Sequence, residues 1–315
     1  MEITKVAEVV RLHGVDLARE MAATAHERRL VNISAQVLAE EQQAIGISYS
    51  GMCLTGLPYR RLPDGESWIK RGHQVTLVIQ PGILVIRGEP VHYGVPWGTR
   101  GRILLIHLMT EAIRTDNREV VLGRSARHVL GRMGLTYGGQ IAQAIRDQMA
   151  RLSACHLRWA WERDGCDINQ SGSFIMASIT LHDQDESRGD VISDAVRLAP
   201  EFFDSLKKHA VPLSEEAVGA LSYSPMSLDI YAWLGYRLHS LDRPTPVSWP
   251  AVASQFGPGY KALRQFRADF LPCLGAACAA YPDAKVELTD RGLCLYPSRP
   301  PISKIMIMPG RRRSG

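Results

Sequence analysis

The sequence predicts an α+β fold in which one order of elements occurs twice. That order is helix, short strand, short helix, turn, longer helix and two strands, first over about residues 100–181 and again over 225–296. It is the order of a winged helix, so the expected architecture is tandem winged-helix (helix-turn-helix) domains behind an N-terminal helical extension. Composition agrees with a folded chain: 45% of the 315 residues are hydrophobic and 22% charged. The third observation is basic density. Arg100 to Asp164 holds eleven arginines, six acidic residues and no lysine, and the stretch from Arg299 adds five basic residues and no acid. The net charge of +5 is mild, but local density decides whether a polyanion binds.

The elements follow in order. Residues 2–45 carry a rough 3.6-residue periodicity, broken at His13-Gly14, and read as helical. From Ile47 to Gly72 the glycines, prolines and Asp64-Gly65 read as loop with short extended pieces. Val75–Ile79 and Ile83–Ile86 flank Pro81-Gly82 as two strands around a turn. In the first repeat Arg100–Ile113 is an apolar helix and Glu119–Leu122 a strand. Ser125 caps a helix to about Met133, Gly134 turns the chain, and a longer helix spans about Gly138–Ala154. Strands at His156–Trp161 and Ser173–Leu181 are joined by a polar loop, Glu162–Gly172. A polar bridge, about Asp183–Val191, ends this unit or links it onward, and Pro200–Leu221 supplies one or two short helices.

The second repeat begins with a helix at Pro225–Leu241 and a strand at Pro246–Ser248. Ser248 caps a helix over Pro250–Gln255, Gly257-Pro258-Gly259 turns, and a longer helix spans Tyr260–Ala280. Lys285–Thr289 and Gly292–Tyr296 pair around a tight turn. The expected domains are therefore an extension at 1–72, units at 73–190 and 191–299, and a basic tail at 300–315.

In a helix-turn-helix unit the second helix enters the major groove with one apolar face held on its domain. In the first unit Ile141, Ile145, Met149 and Leu152 form that stripe, leaving Gln140, Gln143, Arg146 and, at the edge, Arg151 on the other side. In the second, Leu263, Phe266, Phe270 and Leu274 form it, opposite Lys261, Arg264 and Gln265. Gln and Arg make bidentate contacts to adenine and guanine edges, so these are the candidate DNA-binding residues. Arg163 and Arg291, at the wing turns, are placed to meet phosphates. Arg267 falls near the buried stripe and is expected to pair with Asp269 or a neighbour, and Pro272 to kink or end its helix.

Other classes are excluded by what is missing. There is no G-x-x-x-x-G-K-[ST] loop, no H-x-H pair and no G-x-S-x-G elbow, so no catalytic residue and no cofactor are expected. Asp229 and Tyr231 lie in a packed helix, and His107 and His239 in apolar ones. The six cysteines show no C-x-x-C, so no metal is expected and all read as reduced thiols. The densest apolar stretch, Ile103–Met109, is far short of a span, and MEITKVAEVV is not a secretory signal; the expected compartment is cytoplasmic, with no membrane partner.

Five stretches carry a family resemblance: IGISYSGMCLTGLPYRRLPDGE (45–66), LIHLMTEAIRTDNREVVLG (105–123), PLSEEAVGALSYSPMSLDIYAWLGYRLHSL (212–241), PTPVSW (244–249) and YPDAKVELTDRGLCLYPSRPP (281–301). With them the chain resembles the RepA-type plasmid replication initiators of bacteria over roughly residues 30–300. The resemblance implies a non-enzymatic protein that binds repeated origin sequences (iterons) as duplex DNA, helps open the origin, and recruits the host replication initiator and replicative helicase. It also implies a homodimer as the repressive form. The competing reading is a winged-helix transcriptional repressor acting on its own gene. A nicking initiator would need a nucleophilic tyrosine with a metal cluster, a pattern absent from the sequence.

Overall fold

The structure, a computed structural model, describes residues 2, 4–39, 44–72, 74–122, 131, 136, 138–163, 166–179 and 195–302. They form a mixture of helix and sheet in two compact units. Among the described residues, one unit gathers those up to Gly46 with Val211–Ile302; the other runs Ile47–Ala210. The stretch 1–72 therefore divides at Gly46 between two units instead of forming one extension.

Two helices open the chain, α1 (Val6–Met21) and α2 (Ala25–Ala39). Gly14 interrupts α1 with φ 76°, a backbone conformation that glycine adopts without strain. Thr24 and Glu27 form a capping box at the start of α2: the Glu27 amide donates to Thr24 Oγ1 at 3.1 Å, and the Glu27 carboxylate accepts from the Thr24 amide at 3.1 Å.

The unit Ile47–Ala210 begins within β1 (Ile45–Tyr49) and α3 (Ser50–Leu54). Then come β2 (Trp68–Gly72), β3 (Val75–Gln80), β4 (Gly82–Ile86), β5 (Glu89–Tyr93), α4 (Gly98–Thr115) and β6 (Glu119–Val121). The expected helix from Ser125 to Met133 and the turn at Gly134 lie outside the described residues, apart from Gly131. Next are α5 (Gly139–Ala154), β7 (His156–Arg163), β8 (Cys166–Gly172), β9 (Ile175–Ile179), β10 (Ala195–Leu198) and α6 (Pro200–His209).

Strand pairing here corrects the sequence reading. The polar run expected as a loop contains β8, which pairs with β7 in an antiparallel sheet of order β2-β3-β7-β8. The strand expected to pair with β7 is β9, and it pairs instead with β10, in a sheet of order β6-β10-β9. Likewise β3 and β4, expected as strands around one turn, join different sheets: β4 pairs with β5 alone. The larger sheet is held by one face. Val75, Leu77 and Ile79 of β3 are buried beside Leu157 and Trp159 of β7. The bridge at 183–191 lies outside the described residues.

In the other unit β11 (Ala210–Ser214) leads to α7 (Glu215–Ala220), α8 (Pro225–Arg237) and a 3₁₀ turn, Leu238–Ser240. Then follow β12 (Thr245–Ser248), α9 (Trp249–Phe256), α10 (Leu263–Ala279), β13 (Val286–Thr289) and β14 (Gly292–Leu295). Ser214, Ser224 and Ser248 each accept a backbone N–H at the start of α7, α8 and α9, with Pro225 and Pro250 in the first turns of α8 and α9. Trp233, Trp249, Phe256, Phe266 and Phe270 pack ring against ring between these helices. The sheet order is β12-β14-β13, all antiparallel. Gly292 is required at the turn, because a Cβ there would lie 2.0 Å from the Val247 carbonyl oxygen.

Two local expectations fail in α10. The helix continues through Pro272 rather than stopping there. Proline leaves the Ala268 carbonyl without its helical donor, but both residues are exposed, so water reaches that side of the helix. Leu263, expected in the apolar stripe, is 42% exposed at the first position of the helix.

Candidate nucleic-acid interface

The exposed start of α10 collects most of the candidates in its unit. Lys261 stands in the turn ahead of the helix, and Arg264 and Gln265 lie in its first turn; all three are exposed. The helix is held by Phe266, Phe270 and Leu274, which are fully buried. Arg267 does not take an acid partner as expected. Its guanidinium lies over the Trp249 ring, 4.4 Å from the centroid, while Asp269 accepts a hydrogen bond from the Tyr260 hydroxyl at 2.9 Å. Arg291 is exposed in the β13–β14 turn, and its carbonyl accepts from the Trp249 amide at 2.9 Å. That bond fixes the turn beside the first residue of α9.

In the other unit α5 presents Gln140 and Gln143 to solvent, with Arg146 half-buried and Ile145, Met149 and Leu152 buried. Arg151 does not belong with them. Its side chain is 3% exposed and is held by Asp147 at 2.8 Å and Asp64 at 3.0 Å. Burial opposes the charge on Arg151, yet the two carboxylates outweigh it and raise its pKa; in turn the hydrogen bond from Arg151 holds Asp64 below the usual carboxylate range. A guanidinium paired with two carboxylates and closed off from solvent is out of reach of a phosphate, so Arg151 is a structural clasp between α5 and the 57–66 loop. Arg163 closes β7 with its side chain outside the described residues, as is Asp164 beside it and the tail from residue 303.

Other buried groups are also structural. Arg102 donates to the carbonyls of Leu57, Pro58 and Gly98 at 2.6, 3.2 and 2.9 Å and lies over the Tyr59 ring. The Tyr231 hydroxyl is fully buried and accepts the Ser214 amide at 2.9 Å, and burial pushes its pKa up. His239 meets the Gly235 carbonyl at 2.8 Å. Among the described residues there is no group of three or more His, Cys, Asp or Glu able to hold a metal ion, and no helix is long and apolar enough to cross a membrane. Two basic residues outside the expected set are exposed on a sheet: Arg71 on β2 and Arg158 on β7. Their signal in the sequence is period-two alternation with the buried Lys70, Leu157 and Trp159.

Residues 95–249 match the family model described as plasmid encoded RepA protein. Among solved structures, the crystal structure of SeMet derivatives of domain2 and domain 3 of RctB is similar with a TM-score of 0.50 and 13% identity, over 78% of this chain and 94% of that one. A second crystal structure of RctB domains 2-3 gives a TM-score of 0.47 and 12% identity, over 78% and 95%. At 13% identity the first of these likenesses is one of fold alone. No curated protein matches the sequence. The matched segment runs from the loop ahead of α4 to the first residue of α9, and over residues 95–249 the chain is similar to the plasmid-encoded RepA proteins.

Proposed function

We propose that this chain initiates plasmid replication by binding repeated origin sequences (iterons) as duplex DNA through two winged helices. The observation that carries the reading is the shared strand order. In both units the strand before the longer helix occupies the edge, and the last strand sits in the middle: β6-β10-β9 and β12-β14-β13. In each, the longer helix precedes the final two strands and shows glutamine or arginine at its exposed start.

Arg264 and Gln265 on α10, and Gln140 and Gln143 on α5, are the residues assigned to base edges. Lys261, Arg146 and Arg291 are assigned to phosphates, where they add affinity and salt dependence without sequence choice. No catalytic step is assigned. Host initiator and helicase recruitment, and a homodimeric repressive form, enter through the family.

The test is a footprint on DNA flanking the chain's own gene, with salt varied and random duplex as competitor. Protection of regularly spaced repeats that survives competitor is the expected result. Arg264→Ala or Gln265→Ala should cost about 1–3 kcal/mol and relax sequence choice. Equal losses on specific and random DNA would remove the base-reading role. Replication of an origin-only plasmid, with the protein supplied in trans, distinguishes an initiator from a repressor.

A further inference from the structure

The four-stranded sheet β2-β3-β7-β8 has one packed face and one open face. In register, the open face forms two rows across the strands. One row is Arg71, Thr76, Ala160, Asn169; the next is Ile69, Val78, Arg158, Ser171. Gln80 and His156 begin a third. Each of these ten residues is exposed or half-exposed, whereas the alternate positions Lys70, Leu77, Ile79, Leu157 and Trp159 are buried. The face is thus a floor of neutral side chains, Ile69 and Val78 among them, with two guanidinium groups on it.

We propose that this open sheet face is a second DNA surface, one that binds the phosphate backbone and reads no bases. The charge argument fixes the occupant. Arg71 and Arg158 are exposed, and neither has an ion-pair partner among the described residues. No carboxylate occupies the two rows; Glu162 and Asp167, opposite each other in the ladder, take the row beyond Arg71, at the hairpin end. The two arginines stand two strands and one row apart, about 12 Å between Cα atoms from ladder spacings. Duplex DNA presents a charge about every 1.7 Å of its axis, so a rigid pair at this separation meets phosphates in any sequence register. Ala160, Ser171 and Thr76 are short enough to let a sugar–phosphate strand lie against the sheet, and the two rows that carry the arginines hold no aromatic ring on which a base would stack, the His156 imidazole standing in the third row. A duplex is therefore the expected occupant over a single strand. The identity of the polyanion rests on the DNA-binding reading above; the location and chemistry of the face do not.

The test uses the full chain and fluorescence anisotropy on a random-sequence 30-base-pair duplex, with the matching single strand in a parallel arm. Losing two phosphate contacts lowers the slope of log affinity against log salt by about 1.8. The Arg71→Ala/Arg158→Ala double variant should show that drop, so the fall in affinity between 50 and 200 mM salt shrinks by roughly 12-fold. The Arg71→Lys/Arg158→Lys variant should keep the slope, and Asn169→Lys, which adds a cation to the same face, should steepen it by about 0.9. The duplex should respond more than the single strand; the reverse result would overturn the choice of duplex. Unchanged slopes in both the double-alanine and the Asn169→Lys variants, at wild-type melting temperatures, would overturn the proposal. Sequence preference separates the two readings. If Arg264→Ala and Gln265→Ala leave specificity untouched while the sheet variants change the slope, base reading by α10 fails and the sheet face stands.

Discussion

Replacing Arg151 with methionine tests the clasp that displaced this residue from the DNA-contacting set. The exchange removes the charge and keeps most of the buried stem. Removing one partner of a fully buried ion pair costs about 3–5 kcal/mol, because the other charge is left unpaired away from water. Here the partners are less buried: Asp64 and Asp147 are 43% and 38% exposed. Both regain water when the guanidinium goes, and its own desolvation cost goes with it, so the expected loss is about 1–3 kcal/mol. Arg151→Ala also removes buried methylenes and should cost about 2 kcal/mol more. The acid limb gives an independent check. Asp64 is held below the usual carboxylate range first by the hydrogen bond from Arg151, against burial, with Arg61 adding to it. A carboxylate lowered in the folded state stabilises the fold above its unfolded pKa of about 4, and that contribution is lost as pH falls through the folded value. The gap between wild type and Arg151→Met, measured by urea unfolding, should therefore be full at pH 7 and narrow below pH ~4. A loss under about 0.5 kcal/mol at pH 7, or a gap that stays constant in acid, would refute the clasp. DNA affinity of the folded variant should match wild type; a drop in affinity without a drop in stability would return Arg151 to the phosphate contacts.

Two further outcomes follow from the fold. Pro272→Ala should restore the helical N–H to the Ala268 carbonyl and stabilise the chain by about 1–2 kcal/mol, after allowing for the more flexible unfolded chain; a lower unfolding midpoint would show that the ring makes contacts that matter. The Cys155 and Cys278 thiols are both pushed up to about 12 by burial, so at pH 8 a thiol reagent should spare them in the native protein and label the half-buried Cys273 and Cys294, as peptide mapping would show.

The unit that closes the chain was legible because its rules are local. Serine before an apolar run, proline in the first turn and glycine at a tight turn each act over a few residues, and Ser224, Ser248 and Gly292 do what such residues do. The other unit was legible in its helices and misread in its strands. β8, with the sequence CDINQSG, carries no apolar alternation, because it lies at the edge of a sheet with one open face and little to bury. Without that alternation its polar residues look like a loop, and the strand after it then looks like the partner of β7. The strand order common to both units was equally invisible: β10 closes its sheet from a distance in sequence that no turn signal bridges. Arg151 was misplaced for a related reason. Its position on a helical wheel is at the edge of the apolar stripe, and the carboxylate that buries it, Asp64, lies 87 residues away.

Basic density is a weaker guide to a polyanion surface than the sequence suggests. Of the eleven arginines between Arg100 and Asp164, Arg102 is closed around three backbone carbonyls, Arg151 is closed between two carboxylates, and Arg114 pairs with Glu111. Arg102 and Arg151 hold the unit together and are closed to phosphate, and the Arg114 charge is partly neutralised within its own helix. Arg71 lies outside that window and belongs with Arg158 through strand pairing alone. The salt dependence of binding should therefore follow the exposed, unpaired arginines, and should be indifferent to the total count. A basic window marks where arginine is abundant; burial and partners decide which guanidinium groups a phosphate can reach.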